Sequence, residues 1–201
     1  MSRKTTNYMN KRVKENFFKQ SKQKHVRARS YFKLEQIDKK YSIFENVQTV
    51  LDLGCAPGGW TQYINQQYPN ISITGVDLLP IRHKHEFNES VTFIEDDFHN
   101  LDEYIEENFK FDMMISDMAP EFSGDLVADK GRVHDINHTT LQMSKKYLKD
   151  SGMLIFKSFG GKDLEGVRKV AKQLFSSIKE NQPHSSDTKS AEFFIVCFNK
   201  L

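Results

Sequence analysis

The chain has 201 residues, 38% of them hydrophobic and 28% charged, the balance of one globular domain with a substantial core. No apolar run approaches the ~18 residues of a membrane helix, no secretory signal is visible, and the two cysteines, Cys55 and Cys197, have neither metal spacing nor a reason to pair. The net charge of +2 hides an asymmetry: residues 1–40 carry thirteen Lys and Arg against three acids, +10, and the other 161 residues sum to −8.

A basic segment on an acidic body fits a polyanionic partner whose phosphates the segment neutralises. A solvated basic helix face accounts for the charge alone equally well. Residues 11–24 are polar and helix-compatible. Tyr31, Leu34, Ile37 and Tyr41 recur at helical spacing and predict an amphipathic helix over about 28–41. From there strand and helix alternate. Strands are expected at 49–53, 72–77, 91–95, 111–116 and 152–157, near 177–181 and at 193–198. Helices are expected at about 59–67, 101–107, 136–149 and 163–174, and Pro183 to Ser186 reads as a turn. This order predicts a doubly wound, mostly parallel seven-stranded α/β sheet. Residues 193–198 are all apolar, so that strand is central, and it is expected to run antiparallel. The division is a basic arm, 1–24, and one domain, 25–201. The longest segment without predicted structure, about 118–135 with Gly124 and Gly131, reads as a substrate lid.

The first strand ends in Gly54-Cys-Ala-Pro-Gly58-Gly-Trp60. Strand, glycine loop and helix make a nucleotide-type cofactor site at the carboxyl edge of a parallel sheet. The spacing is not G-x-G-x-x-G, and Pro57 removes an N–H that a pyrophosphate would use. Glycines still admit a ligand close to the backbone, so an adenosyl group without phosphates fits, and S-adenosylmethionine is the candidate. Later strands end in Asp77, Asp97, Asp117 and Lys157. Any one strand-end acid is commonly a cap or turn residue; five strands ending in Gly, Asp, Asp, Asp and Lys point to a ligand edge. Asp77 suits the ribose hydroxyls, and Asp97-Phe98 the adenine. Asp117 and Glu192 are possible partners of Lys157, with Lys33 a fourth member. Arg82-His83-Lys84-His85 offers an H-x-H with no third ligand and reads as a surface loop, as do His134 and His138, so no metal is expected.

Five motifs in order carry a family resemblance: Arg27-Ala-Arg29-Ser-Tyr-Phe-Lys33-Leu, Asp52 to Trp60, Ser116-Asp-Met-Ala-Pro120, Phe156-Lys157 and Ser190-Ala-Glu192. Together they resemble the FtsJ-type RNA 2′-O-ribose methyltransferases, from about Lys22 to the C-terminus. Ser116-Asp-Met-Ala-Pro and Gly-Gly-Trp look closest to the ribosomal RNA enzymes of bacteria and mitochondria. The resemblance implies a Rossmann-like methyltransferase fold. It implies a catalytic set of Lys33, Asp117, Lys157 and Glu192, and cofactor contacts from Gly58, Trp60, Asp77, Asp97 and Asp117, to which the loop and strand-end reading adds Gly54 and Phe98. Glu95-Asp96 makes the adenine corner more acidic than the family pattern.

The implied reaction moves a methyl from the sulfonium to a ribose 2′-hydroxyl, with no metal. Lys157 either accepts the hydroxyl proton or, as a cation, orients the oxygen. Arg27 and Arg29 are expected to bind RNA phosphates. The expected partner is ribosomal RNA, a uridine of the large subunit, or the large subunit itself, with the enzyme a monomer away from membranes. A transfer RNA or cap methyltransferase, or a non-catalytic ribosome-assembly factor, are the other readings. The compartment is expected to be reducing; the basic, acid-poor first fourteen residues slightly favour the mitochondrion if the source is eukaryotic.

Overall fold

The structure, a computed structural model, describes residues 25–160, 164–183 and 192–201. The basic arm 1–24 with its expected helix, and residues 184–186 of the expected turn, lie outside the described residues.

The first helix, α1 (Ser30–Tyr41), buries Tyr31, Phe32, Leu34 and Ile37 along one face. Ser42, in the left-handed region at φ 50°, ends it by donating its N–H to Asp38 O. Strand β1 (Thr49–Leu53) is buried from Val50 onward, as a central parallel strand must be. Helix α2 (Gly59–Gln67), β2 (Ser72–Asp77), β3 (Val91–Glu95) and β4 (Phe111–Ser116) follow with the expected bounds. Then come α3 (Leu126–Tyr147), β5 (Leu148–Phe159), α4 (Leu164–Leu174), β6 (Phe175–Asn181) and β7 (Glu192–Lys200).

The strands form one seven-stranded sheet in the order β3-β2-β1-β4-β5-β7-β6. All pairings among the first five are parallel, and β7 runs antiparallel to both neighbours. The pleat splits the core in two. On one side Val50, Ile73, Ile115, Ile155 and Phe194 pack with Ile37 of α1 and Ile64 of α2. On the other, Leu51, Val76, Met114, Phe156 and Ile195 pack with Leu141 of α3 and Val167 of α4. Full burial of such side chains is worth ~1.5–3 kcal/mol each. Chain order reverses between β1 and β4, so the crevice at their carboxyl ends is the ligand position of an open α/β sheet.

Three expectations are corrected. The segment 118–135 is not a long lid: α3 starts at Leu126, and Gly131 lies inside it. Asp125 caps that helix, accepting from the N–H groups of Val127 and Ala128, a start signal that the sparse apolar pattern there concealed. The expected helix at 101–107 is a 3-10 helix over Phe98–Glu103, capped by Asp97 through the His99 N–H. Strand β5 begins directly after α3 rather than at 152. Its pairing with β4 is irregular before Met113, and Ser151 sits at φ 62°.

Candidate active site at the carboxyl edge

Gly54 and Cys55 both donate to Val76 O, which anchors the glycine loop to the end of β2. Gly54 (φ +70) and Gly58 (φ +98) are left-handed, where a side chain is strained. The space a side chain would need there belongs to the protein. A Cβ at Gly54 would lie 2.2 Å from Met118 Cγ, and one at Gly59 2.4 Å from Ser30 Oγ. At Gly58 a Cβ would press on Arg27 Nε and the Phe87 ring, at 3.0 and 3.2 Å. Sequence reasoning gave these glycines to a ligand; the structure shows them admitting the chain before α1 and the residue after Asp117. They draw three segments around a cleft of about 260 Å³, lined by Gly54 to Pro57 of the loop together with Lys33 and Asp117.

Asp77 holds the loop: its carboxylate accepts from Ala56 N–H at 2.8 Å and from Leu79 N–H at 2.8 Å. Trp60 lines the cleft but is only 2% exposed; its Nε1–H donates to Ser30 O at 2.8 Å and its ring packs on Phe194. Asp97 is half exposed and accepts from the His99 N–H, which holds its carboxyl below the usual range. Phe98 packs against the core and tilts onto the His99 ring, 4.4 Å between centroids.

The structure brings the four residues of the expected catalytic set together. Lys157, 8% exposed near the end of β5, donates to Asp117 Oδ1 at 2.9 Å and to the Asp117 carbonyl. Lys33, from α1, lies 2.6 Å from Glu192 Oε1 and 3.8 Å from Asp117 Oδ1. Its ammonium also sits 5.5 Å from the Phe194 ring centroid, a cation–π distance. Cation and carboxylate alternate, so each charge is offset in a partly desolvated site. The antiparallel β7 is what delivers Glu192: its first residue pairs with Phe159 at the carboxyl end of β5.

The two arginines separate. Arg27 donates through Nε to Pro57 O at 2.8 Å and through Nη1 to Glu86 at 2.7 Å, and its Nη2 bonds Arg82 O. Its guanidinium also lies over Phe87, and its side chain is only 10% exposed. It ties the chain before α1 to the cofactor loop. Arg29 is exposed and lines the cleft mouth. Near Arg27, Glu86 joins His83 and His85 as a third group within 4.8 Å, a neighbour the H-x-H reading left out; Arg27 occupies that carboxylate.

Asp52 was missed as a site residue. It is 1% exposed beneath the cleft and accepts from Thr61 Oγ1 at 2.7 Å. Its signal was an acid inside the apolar run Val50-Leu51-Asp52-Leu53. Burial pushes its carboxyl up to about 7, Asp117 and Asp77 push the same way, and the Thr61 bond opposes them.

A seven-stranded sheet with β7 antiparallel, a glycine loop at the reversal of strand order and a Lys–Asp pair facing that loop define a Rossmann-like methyltransferase. Comparison with known proteins places it more narrowly. Residues 26–200 match the model of the FtsJ-like methyltransferase family, and the chain belongs to that family. It is 34% identical over 190 residues to the ribosomal RNA large subunit methyltransferase E of Brachyspira hyodysenteriae, covering 94% of this chain and 97% of that one. The Bdellovibrio bacteriovorus protein of the same name is 33% identical, covering 93% and 97%. Among solved structures, a ribosomal RNA methyltransferase from Plasmodium falciparum has the same fold, with a TM-score of 0.74 at 23% identity, covering 88% of this chain and 99% of that one. Human methyltransferase-like protein 13, solved in complex with SAH, follows at a TM-score of 0.60 and 16% identity, covering 79% and 77%.

Proposed function

We propose that this protein transfers a methyl group from S-adenosylmethionine to a ribose 2′-hydroxyl of RNA, and that its substrate is a uridine of large-subunit ribosomal RNA. The observation that carries the reading is the Lys33–Glu192, Lys33–Asp117 and Lys157–Asp117 set at the rim of the loop cleft. The relatives' names supply the class of RNA.

The cleft fits the cofactor. Its lining joins the glycine-loop residues Gly54 to Pro57, which make no phosphate nest, to Trp60 and Asp117. When bound, S-adenosylmethionine supplies a methyl on a cationic sulfur, which is already an electrophile, so the reading includes no metal. Asp77 would hold the ribose hydroxyls, with Gly54, Gly58 and Trp60 shaping the pocket and Asp97 and Phe98 at the adenine. In the transfer the cofactor would supply its methyl carbon to the 2′-oxygen, the carbon–sulfur electron pair staying on sulfur, and the Lys157–Asp117 pair would take up the hydroxyl proton. Asp117 fixes the Lys157 Nζ by two bonds, so the attacking oxygen meets a positioned group. Lys33 and Glu192 hold the other side of Asp117. Arg29 would meet a phosphate at the mouth. Both cysteines are free and buried, which fits a reducing compartment, and the enzyme would act as a monomer away from membranes. Among the described residues no helix is long and apolar enough to cross one.

The test is transfer of labelled methyl from S-adenosylmethionine to large ribosomal subunits from cells lacking this gene, with the modified nucleotide mapped. Wild type is expected to methylate one ribose. Lys157→Ala is expected to lose transfer by 10²-fold or more, about what removing one positioned proton-handling group costs, while binding S-adenosylhomocysteine normally. Normal turnover by Lys157→Ala would sink the assignment.

A further inference from the structure

Phe122 is a large apolar side chain left 54% exposed, and it stands at the active edge. Its ring meets Phe159 edge to face, 5.2 Å between centroids. Phe159 is two residues beyond Lys157 on β5, so by the pleat both side chains leave the same face, one step of ~7 Å apart. Its cross-strand partner is Glu192, and such partners stand ~5 Å apart at Cβ. The aromatic pair therefore continues the Lys33–Asp117–Lys157–Glu192 set outward.

The loop carrying Phe122 is held. Asp129, on the first turns of α3, accepts from the N–H and hydroxyl of Ser123 and from the N–H of Gly124. Arg132 donates to Glu121 O, to Ser123 Oγ and to Asp129. Two side chains of one helix thus clamp the residues on both sides of Phe122. A single exposed apolar side chain is ordinary; what sets Phe122 apart is that its loop is fixed by Asp129 and Arg132 and that its ring rests on Phe159, two residues beyond Lys157.

We infer that Phe122, backed by Phe159, is a stacking platform for the base of the target nucleotide. The inference rests on the ribose methyltransferase reading. A ribose whose 2′-oxygen reaches Lys157 carries its base on the adjacent carbon, so the base must lie within a few ångströms of the set, and the pair supplies a π-face there. RNA enzymes commonly splay single bases onto aromatic side chains, and stacking tolerates any base. The base is thereby fixed by its plane, while Lys157 and Asp117 fix the hydroxyl.

Phe122 is exposed, so its substitution leaves the core intact, and a thermal melt checks this. Phe122→Ala is expected to raise KM for the RNA by ~5–150-fold, the range that ~1–3 kcal/mol of stacking gives, with kcat within threefold of wild type. Phe122→Tyr is expected to restore KM. A second readout needs no turnover: a single-stranded decauridylate with one central 2-aminopurine is titrated with protein saturated in S-adenosylhomocysteine. Wild type should quench the probe; Phe122→Ala should bind more weakly with less quenching and an unchanged salt slope, since the cations that meet the phosphates are all still in place. Wild-type KM and quenching in Phe122→Ala would overturn the platform, as would a loss confined to kcat. If wild type transfers no methyl to any RNA but quenches the probe through Phe122, the reaction reading fails and Phe122 is an RNA-stacking residue rather than a platform for a target base. If wild type methylates and Phe122→Ala is indistinguishable from it, the platform alone fails.

Discussion

Asp52 shows how a residue that touches no expected reaction step still shapes this site. It is buried beneath the cleft with a single described side-chain partner, Thr61. Burial first, then Asp117 and Asp77, push its carboxyl up to about 7. An unfolded aspartate titrates near ~3.9. Between those values the unfolded chain has released its proton and the folded chain has not, so stability falls as pH rises from about 4 to 7 and is level above that. A gap of about three pH units at ~1.4 kcal/mol each is ~4 kcal/mol in all. Asp52→Asn keeps an oxygen for Thr61 and removes the titration. Its stability relative to wild type is therefore expected to improve by ~3 kcal/mol between pH 5 and pH 8, read from urea midpoints at both values. A difference independent of pH would show that Asp52 is already ionised in the fold. Such a residue is only half legible in sequence. The acid in an apolar strand is visible, but its distance from Asp77 and Asp117 depends on β2 and β4 flanking β1.

At the scale of elements, α1 carries Lys33 to the sheet edge and must be pinned to do so. The pin is Asp38, 6% exposed, which accepts from the hydroxyls of Tyr63 and Tyr68 at 2.6 Å each and from Ile43 N–H at 3.2 Å. Burial, then the bond to Asp38, pushes the Tyr68 hydroxyl up to about 12 and raises Tyr63 as well. Asp38→Ala removes all three bonds to the carboxylate and leaves the buried Tyr63 hydroxyl and Ile43 N–H without their acceptor, so a loss of ~3–5 kcal/mol is expected. Amide exchange should rise across Ser30–Tyr41 and stay unchanged in β4; uniform acceleration would show that α1 does not open separately. The amphipathic stripe of α1 was legible because its burial follows the helical period, and the bounds of β1 to β4 because each is a short run rich in apolar residues that stops at a glycine or an acid. The start of α3 was not, because Leu126, Val127 and Ala128 stand side by side and the polar run Asp129 to Arg132 follows them, so no helical period marks that turn. Nor was the task of Arg27: a basic run reads as phosphate-binding, and only the fold brings Pro57, Arg82 and Glu86 to its guanidinium.

For the whole molecule the issue is how a body of net charge −5, residues 25–201, is brought to a polyanion. Residues 1–24 hold eight Lys and Arg against one acid, so most of the chain's attraction to RNA should reside there, while the cleft is built from residue 28 onward. The two functions meet at Arg27, whose bonds to Pro57 and Glu86 hold the chain against the cofactor loop. Two truncations separate them. Deleting 1–24 is expected to weaken RNA binding and to flatten its dependence on log salt by ~0.7 for each single-strand phosphate that the arm neutralises. Affinity for S-adenosylhomocysteine should be unchanged. Deleting 1–29 also removes the Arg27 tie and the wall residues Ala28 and Arg29, and should lower cofactor affinity as well. Calorimetry with S-adenosylhomocysteine and salt titrations with RNA read the two effects independently. Equal salt slopes for the full chain and the 1–24 deletion would place the RNA contacts on the folded body instead. Unchanged cofactor affinity after deletion of 1–29 would show that the loop holds its shape without Arg27.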